Sequence, residues 1–335
     1  MKEVINKAYK FRIYPSIDQE VFFAKHFGCV RFIYNHLLGI RRDIYKKEGK
    51  SLNGFACKKM ISLLKKQKKY EWLKDVNSQS LQEAAICLER SFQRFFNKEI
   101  KSGYPRLKKK GYHDAFCVPQ NFQMDPKNNF LFIPKLKTPI KTRFHRSLNK
   151  VIKFNSITIS KTPAGKYYAS INGEEEWVRN GPVKKKTQKT VGIDLGLKDF
   201  LVESNGNKKN APGYLRQSEE KLKKTQQKLS RRQKGSQNRK KQRLVVAKLH
   251  ERIKNQRTNF LHQESSRLVN ENQVIYLETL NVQGMLRNHR LSKSIADGGW
   301  GEFIRQLKYK AHWQRKMIVQ VGECGKRRAS FAQQI

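Results

Sequence analysis

Apolar and polar positions change their period several times along this chain. Residues 7–14, "KAYKFRIY", alternate basic and apolar side chains with the two-residue period of a half-buried strand. Pro15 stops that strand, and Ser16 or Asp18 can cap the helix that follows. From about 18 to 99 the spacing is helical. "GCVRFIYNHLL" (28–38) is one such stretch, and "NSQSLQEAAICLERSFQRFF" (77–96) carries a stripe through Leu81, Ala85, Leu88, Phe92 and Phe95 that predicts core packing. Between 115 and 172 the pieces are short and β-like: "AFCVPQ", "NFLFIP", "SITIS" and "KYYASING", separated by Pro, Asn and Gly turns. That spacing suits a small barrel or sandwich. A helical block between one early strand and several later ones reads as an insertion into a barrel.

Two basic connectors, "IKSGYPRLKKKG" (100–111) and "VRNGPVKKKTQK" (178–189), separate these regions. From 190 onward the order is strand, strand, turn, two long helices, strand, helix, strand. Asn205-Gly206 predicts a type I′ turn, whose two central residues both need positive φ. Leu215, Leu222 and Leu229 fall seven apart, and Val246, Leu249, Ile253 and Phe260 continue an apolar seam beyond Gly235, predicting an antiparallel helical hairpin.

Charge changes the picture from a fold to a partner. The 335 residues hold 72 Lys and Arg against 27 Asp and Glu, a formal net charge of +45. Such self-repulsion is best tolerated beside a polyanion. No apolar run approaches the roughly 20 residues that span a membrane, the N-terminus is too charged for a secretion signal, and the cations are dispersed rather than gathered into one anchor. The expectation is a cytoplasmic protein that binds nucleic acid, with no membrane partner. Residues 216–257 alone hold 16 Lys and Arg and three Glu, which marks the helical hairpin as a phosphate-contacting surface. Five scattered cysteines (Cys29, Cys57, Cys87, Cys117, Cys324) lack any CxxC or Cys–His spacing, so no zinc site is expected and the thiols read as reduced and mostly buried.

The candidate chemistry lies in "TVGIDLGLKDF" and "NQVIYLETLNV". Asp194 ends the first strand of the second half, and Glu278 ends the buried run Val274–Leu277. A long helical crossover between the two predicts parallel neighbours, and ligands of such sheets gather at the carboxyl ends of strands. Two carboxylates converging there repel unless protonated, salt-bridged or bound to cations. Beside so basic a surface, a Mg²⁺ site for phosphodiester chemistry is the sharp reading. Simple turn-capping by either acid is the plain alternative. "GIDLG" also opens the phosphate-facing turn of actin-like and sugar-kinase ATPases, but Leu197 and Lys198 stand where those proteins carry Thr or Ser, and no second Gly-rich loop follows.

With these stretches in hand, the chain resembles the TnpB family: OrfB-type, RNA-guided nucleases of insertion sequences, related to type V CRISPR effectors. "AYKFRIYPSIDQE", "GCVRFIYNHLL", "SQSLQEA", "SGYPRLKKK", "VGIDLGLKDF", "QKLSRRQKGSQNRKKQR", "YLETLNVQGM" and "GGWGEFIRQLKYKA" carry the resemblance, in family order, from residue 8 to about 320. It implies an α+β multidomain fold. A wedge-like β-barrel (1–15 and 100–180) would hold a helical recognition insertion (16–99). A RuvC, ribonuclease-H-like α/β domain (189–322) with an inserted basic helical hairpin (214–268) would follow, then an atypical tail (323–335). The implied partners are a guide RNA from the element's end and a double-stranded target DNA with a short adjacent motif. The implied cofactor is Mg²⁺ on Asp194 and Glu278, the first two RuvC carboxylates. Candidate nucleic-acid contacts are Lys10 and Arg12 on the first strand, Ser78, Gln79 and Gln82 in the helical region assigned to the DNA duplex, Arg106, Lys108 and Lys109 in the connector, and Arg231, Arg232, Arg239, Lys240, Lys241 and Arg243 in the hairpin.

The resemblance fails at "VGECGKRRASFAQQI", where the family continues into a four-cysteine zinc ribbon and a third carboxylate. Asp297 and Glu302 belong to the "ADGGWGEF" element, and Glu323 has only its location in its favour. The expectation is guided DNA recognition with cleavage lost or severely impaired. Its alternatives are a nuclease completed by another acid and a frameshifted relic.

Overall fold

The alternation at the N-terminus extends beyond eight residues. In the computed structural model, which describes residues 3–100, 102–177 and 189–322, strand β1 runs Glu3–Tyr14. Pro15 ends it, and Ser16 starts helix α1 (Ile17–Glu48) with a reciprocal cap: its hydroxyl accepts from the Gln19 amide, and its own amide donates to the Gln19 side chain. Asp18 lies in the first turn, where a carboxylate favours the helix dipole without making the cap. Helix α2 (Gly54–Lys66), a 3-10 segment (Lys68–Asp75) and helix α3 (Ser78–Phe96) complete the helical block.

The strands that follow, β2 (Asp114–Val118), β3 (Gln123–Asp125), β4 (Phe130–Phe132), β5 (Ile140–Arg143), β6 (Val151–Lys161) and β7 (Tyr167–Trp177), join β1 in one antiparallel sheet of order β2-β6-β7-β1-β5-β4-β3. Strand β1 thus lies inside the sheet, between β7 and β5, with the helices inserted in sequence between it and the rest. The expected wedge-like barrel is, among the described residues, a seven-stranded sheet whose edge strands β2 and β3 do not pair with each other. Strands β3 and β4 are three residues each, too short to offer the ladder that closure needs. Phe11, Ile13, Phe23, Leu37, Leu81, Leu88 and Phe116 form the buried centre shared by helices and sheet. Phe92 is buried with the predicted stripe, but Phe95 is 37% exposed and meets Tyr104 edge-on.

The chain divides into two compact units, Met1–Arg179 and Asn180–Ile335. The second is built on strands β8 (Thr190–Asp194), β9 (Asp199–Glu203), β10 (Lys208–Asn210), β11 (Val274–Glu278) and β12 (Met317–Val321), in the order β10-β9-β8-β11-β12. The first three form an antiparallel meander, and β11 lies parallel to both β8 and β12. Helices α4 (Tyr214–Ser230) and α5 (Gln237–Glu271) make the crossover to β11, while α6 (Val282–Met285), α7 (Ser292–Gly298) and α8 (Trp300–Gln314) lead to β12. Helix α5 has two jobs along its 35 residues. Val246, Leu249 and Ile253 pack with Leu222, Leu215 and Leu229 in the hairpin seam. Phe260, Leu261, Leu268 and Val269 instead pack against the sheet with Phe200, Phe303 and Leu307.

The Asn205-Gly206 turn is not type I′. Only Gly206 has positive φ (88°), and its amide donates to the Glu203 carbonyl at 2.9 Å while Glu203 donates to Asn207. This is a three-residue hairpin loop with glycine in the left-handed position, which asks less of Asn205 than two left-handed residues would. Among the cysteines, Cys29 and Cys57 are buried, but Cys117 is half-buried and Cys87 exposed, which corrects the expectation that most are buried; Cys324 lies outside the described residues. Among the described residues no helix is long and apolar enough to cross a membrane.

Candidate active site

Period-two alternation decides which side chains share the parallel strand ends. Gly192 and Asp194 on β8 face the same side as Tyr276 and Glu278 on β11, because Tyr276 pairs with Gly192 and Leu277 with Ile193. Ile193 and Leu277 point the other way into the core. Strands about 4.8 Å apart therefore deliver both carboxylates to one edge. They line a hollow of about 380 Å³ with Tyr276, Val321 and Gly322. Asp194 is exposed and Glu278 half-buried. Among the described residues no hydrogen bond or ion pair engages the Asp194 side chain, so it is not capping a turn.

The second glycine of "GIDLG" has a steric reason. A Cβ on Gly196 would lie 2.7 Å from the Asp199 carbonyl oxygen, so the turn from β8 to β9 closes only without one. That close approach accounts for a glycine at 196. The pair's hard oxygens suit Mg²⁺, which commonly binds through one or two carboxylates and keeps several waters. Among the described residues no group of three or more His, Cys, Asp or Glu could hold a metal, and residues 323–335, with Glu323 and Cys324, lie outside them.

Other acids of this unit are engaged elsewhere. Buried Glu203 and Glu264 converge on Arg267, with distances of 2.6 and 3.1 Å, and Lys209 reaches Glu264 at 3.1 Å. Burial works against the Arg267 cation, but these carboxylates outweigh it and raise its pKa. Glu302 is bridged by Arg305, which lowers its pKa. Asp297 accepts from the Leu215 amide, tying α7 to the start of α4.

The proposed nucleic-acid contacts divide by what they touch. Arg231, Arg232, Lys240, Lys241 and Arg243 are exposed on the hairpin. Arg239 is half-buried, and its Nη1 donates to the Leu229 and Arg232 carbonyls at 2.7 and 2.8 Å, closing the end of α4. Arg106 and Lys109 are exposed, whereas the Lys108 ammonium stands 4.1 Å over the Tyr34 ring and its backbone is clasped by Asn35. Lys10 and Arg12 lie on one face of β1 against Tyr168, at 4.3 and 5.2 Å from its ring centre, and a buried Nη1 of Arg12 has no hydrogen-bond partner. At the start of α3, Ser78 accepts from Lys65 at 2.6 Å, Gln79 donates to Gln120 at 3.3 Å, and Gln82 is exposed. Sequence reasoning missed Gln120 and Tyr276. Alternation around Glu278 could have found Tyr276; nothing local announces a glutamine 41 residues from its partner.

The chain is mixed α/β with a strand-end acid pair and a basic helical hairpin in its second unit, and comparison with known proteins gives its class as an OrfB-type insertion-sequence protein. Residues 170–289 match the OrfB_IS605 family profile, described as "Probable transposase", and residues 1–50 match HTH_OrfB_IS605, "Helix-turn-helix domain". Here residues 3–48 form one strand and one 32-residue helix rather than a helix-turn-helix. A protein of Streptomyces pristinaespiralis named "Putative RNA-guided DNA endonuclease" is 33% identical over 319 residues, covering 95% of this chain and 78% of its own. "Putative RNA-guided DNA endonuclease InsQ" of Escherichia coli K12 is 32% identical, covering 94% and 80%. A chain in "Cryo-EM structure of the Cas12f1-sgRNA-target DNA complex" aligns with a TM-score of 0.46 at 14% identity, over 96% of this chain and 90% of that one. On the sequence relatives, the chain belongs to the TnpB family.

Proposed function

We propose that this chain is an RNA-guided DNA-binding protein whose second unit is a RuvC-like, ribonuclease-H-like domain. Base pairing with a guide RNA supplies sequence specificity, and the basic surfaces hold backbone phosphates. The observation that carries the reading is the pairing of Asp194 and Glu278 at the ends of neighbouring parallel strands, in a chain of net charge +45.

Asp194 and Glu278 would hold Mg²⁺, which when bound activates water and stabilises a leaving oxygen in phosphodiester cleavage. Their own task is to present oxygens on one edge, with the core side of each strand locking the backbone beneath them. The described residues supply two carboxylates where the family resemblance implies three. Each 1.36 kcal/mol of lost transition-state stabilisation slows a reaction about tenfold, so cleavage by these residues alone is lost or severely impaired while guided binding persists.

Purifying the protein from its native locus and sequencing the bound RNA tests the partner: one structured species ending in a guide is expected, and bulk cellular RNA alone would refute it. Incubating that complex with a guide-matched duplex and Mg²⁺ tests the chemistry. Binding without efficient cutting is expected, with Asp194→Ala making no measurable difference. Robust cutting abolished by Asp194→Ala would show that another acid completes the site.

A further inference from the structure

A second cavity of the same unit, about 690 Å³, lies where the β8–β9 turn, the start of α4, and helices α5 and α7 meet. It has the size of a small-molecule site. Lys198, Arg216, Arg257 and Lys293 line it against one carboxylate, Asp297. That carboxylate is already engaged: both its oxygens accept from the Leu215 amide, and Arg257 stands 3.8 Å away. Arg257 also donates to the Ala296 carbonyl, and Lys293 pairs with Glu219. Lys198 and Arg216 are exposed, and among the described residues neither side chain has a hydrogen bond or ion pair. The rest of the lining mixes apolar Leu197, Pro212 and Phe260 with the polar side chains of Gln217 and Ser294. Helix α4 points its positive end here, with Gly213 as an N-cap that offers no side chain.

Apolar surface at Leu197, Pro212 and Phe260, polar groups at Gln217 and Ser294, and two unengaged cations at Lys198 and Arg216 suit the face and edge of a base with its flanking phosphates. The location names the strand. Gly196 lines the cavity and follows Asp194 by two residues, so their Cα atoms are within about 7 Å and this wall of the cavity lies next to the strand end that carries Asp194. A cavity of this volume admits one unstacked nucleotide and excludes a duplex.

We propose that this cavity takes one nucleotide of the single DNA strand laid across Asp194 and Glu278, with Lys198 and Arg216 on its flanking phosphates. The proposal rests on the reading of that pair as a DNA site. Lys198 and Arg216 act as positioning residues: they fix the register of the strand over the carboxylates.

The test uses the full chain and a fluorescein-labelled 12-nucleotide oligothymidylate carrying one 4-thiothymidine. Irradiation should crosslink it to peptides covering 196–198, 211–217 or 257–260. The Lys198→Glu/Arg216→Glu variant, altered only at exposed positions, should bind the oligonucleotide about tenfold more weakly. Its log–log salt slope should be shallower by about 1.4, since each single-strand phosphate contact contributes about 0.7. Unchanged affinity and slope, crosslinks only outside the cavity, or labelling by the matching oligouridylate alone would each overturn the proposal. Guide-RNA retention by the same preparations reads the proposed function separately: its absence from the unmodified protein strikes that reading, whatever the oligonucleotide does.

Discussion

His26 shows how far a single side chain can be committed by burial. Its Nδ1 donates to the Phe22 carbonyl at 3.0 Å and its Nε2 accepts from the Asn77 amide at 3.1 Å, so the neutral ring ties α1 to the start of α3. Burial lowers its pKa from 6.5 to about 4, against a partly opposing hydrogen bond to Phe22. The unfolded chain thus binds the proton more readily than the folded one. Stability is complete above pH 6.5 and falls as pH drops towards 4, by up to about 3 kcal/mol. Denaturant titrations across that window should show the loss, and His26→Gln should flatten it. Gly196 is the second commitment at this scale. Gly196→Ala must displace the Asp199 carbonyl and should cost about 1–3 kcal/mol, read as a lower thermal midpoint. The strand-end positions of Asp194 and Glu278 were legible because each ends an apolar run. The crowding at Gly196 was not, since it depends on a carbonyl three residues on that no local pattern reports.

At the scale of elements, the helical hairpin was legible in its leucine spacing, and its charge reads directly from the chain. The division of labour within it was not. Arg239 counts as one more cation in the sequence, yet it closes the turn after α4, as the distances to Leu229 and Arg232 show. Arg239→Ala should therefore lower thermal stability by about 1 kcal/mol. Reversing exposed Arg231, Lys240 and Lys241 to Glu should leave the midpoint unchanged, while RNA affinity falls and its salt dependence weakens. The sheet of the first unit was legible where strands are long or sharply alternating. Strands "QMD" and "IKTR" were invisible because so few residues carry no period, and β5 owes its place to pairing with β1, across some 130 residues. Arg267 is a comparable long-range device: replacing it with Ala should cost about 3 kcal/mol, the low end for a buried ion-pair cluster since the arginine is one-third exposed.

For the whole molecule, 72 cations against 27 anions make salt the controlling variable. Affinity for RNA should fall about 10³-fold or more between 50 and 200 mM salt, the response of six or more phosphate contacts, and a flat response would contradict a basic cradle. Composition led to the expectation of a nucleic-acid partner, and family-ordered motifs to the expectation of a guide. Neither reveals that Glu203 and Glu264 are taken up in ion pairs with Arg267, because only the folded chain brings those groups together. The central claim is that the nucleic acid it carries, and not the protein, chooses the DNA. Its most direct measurement replaces the guide segment of the bound RNA with an unrelated sequence and compares binding to duplexes matching the old and the new guide. Binding should move to the new match and leave the old one. Binding that stays on the original duplex, or that ignores the guide altogether, would contradict the account.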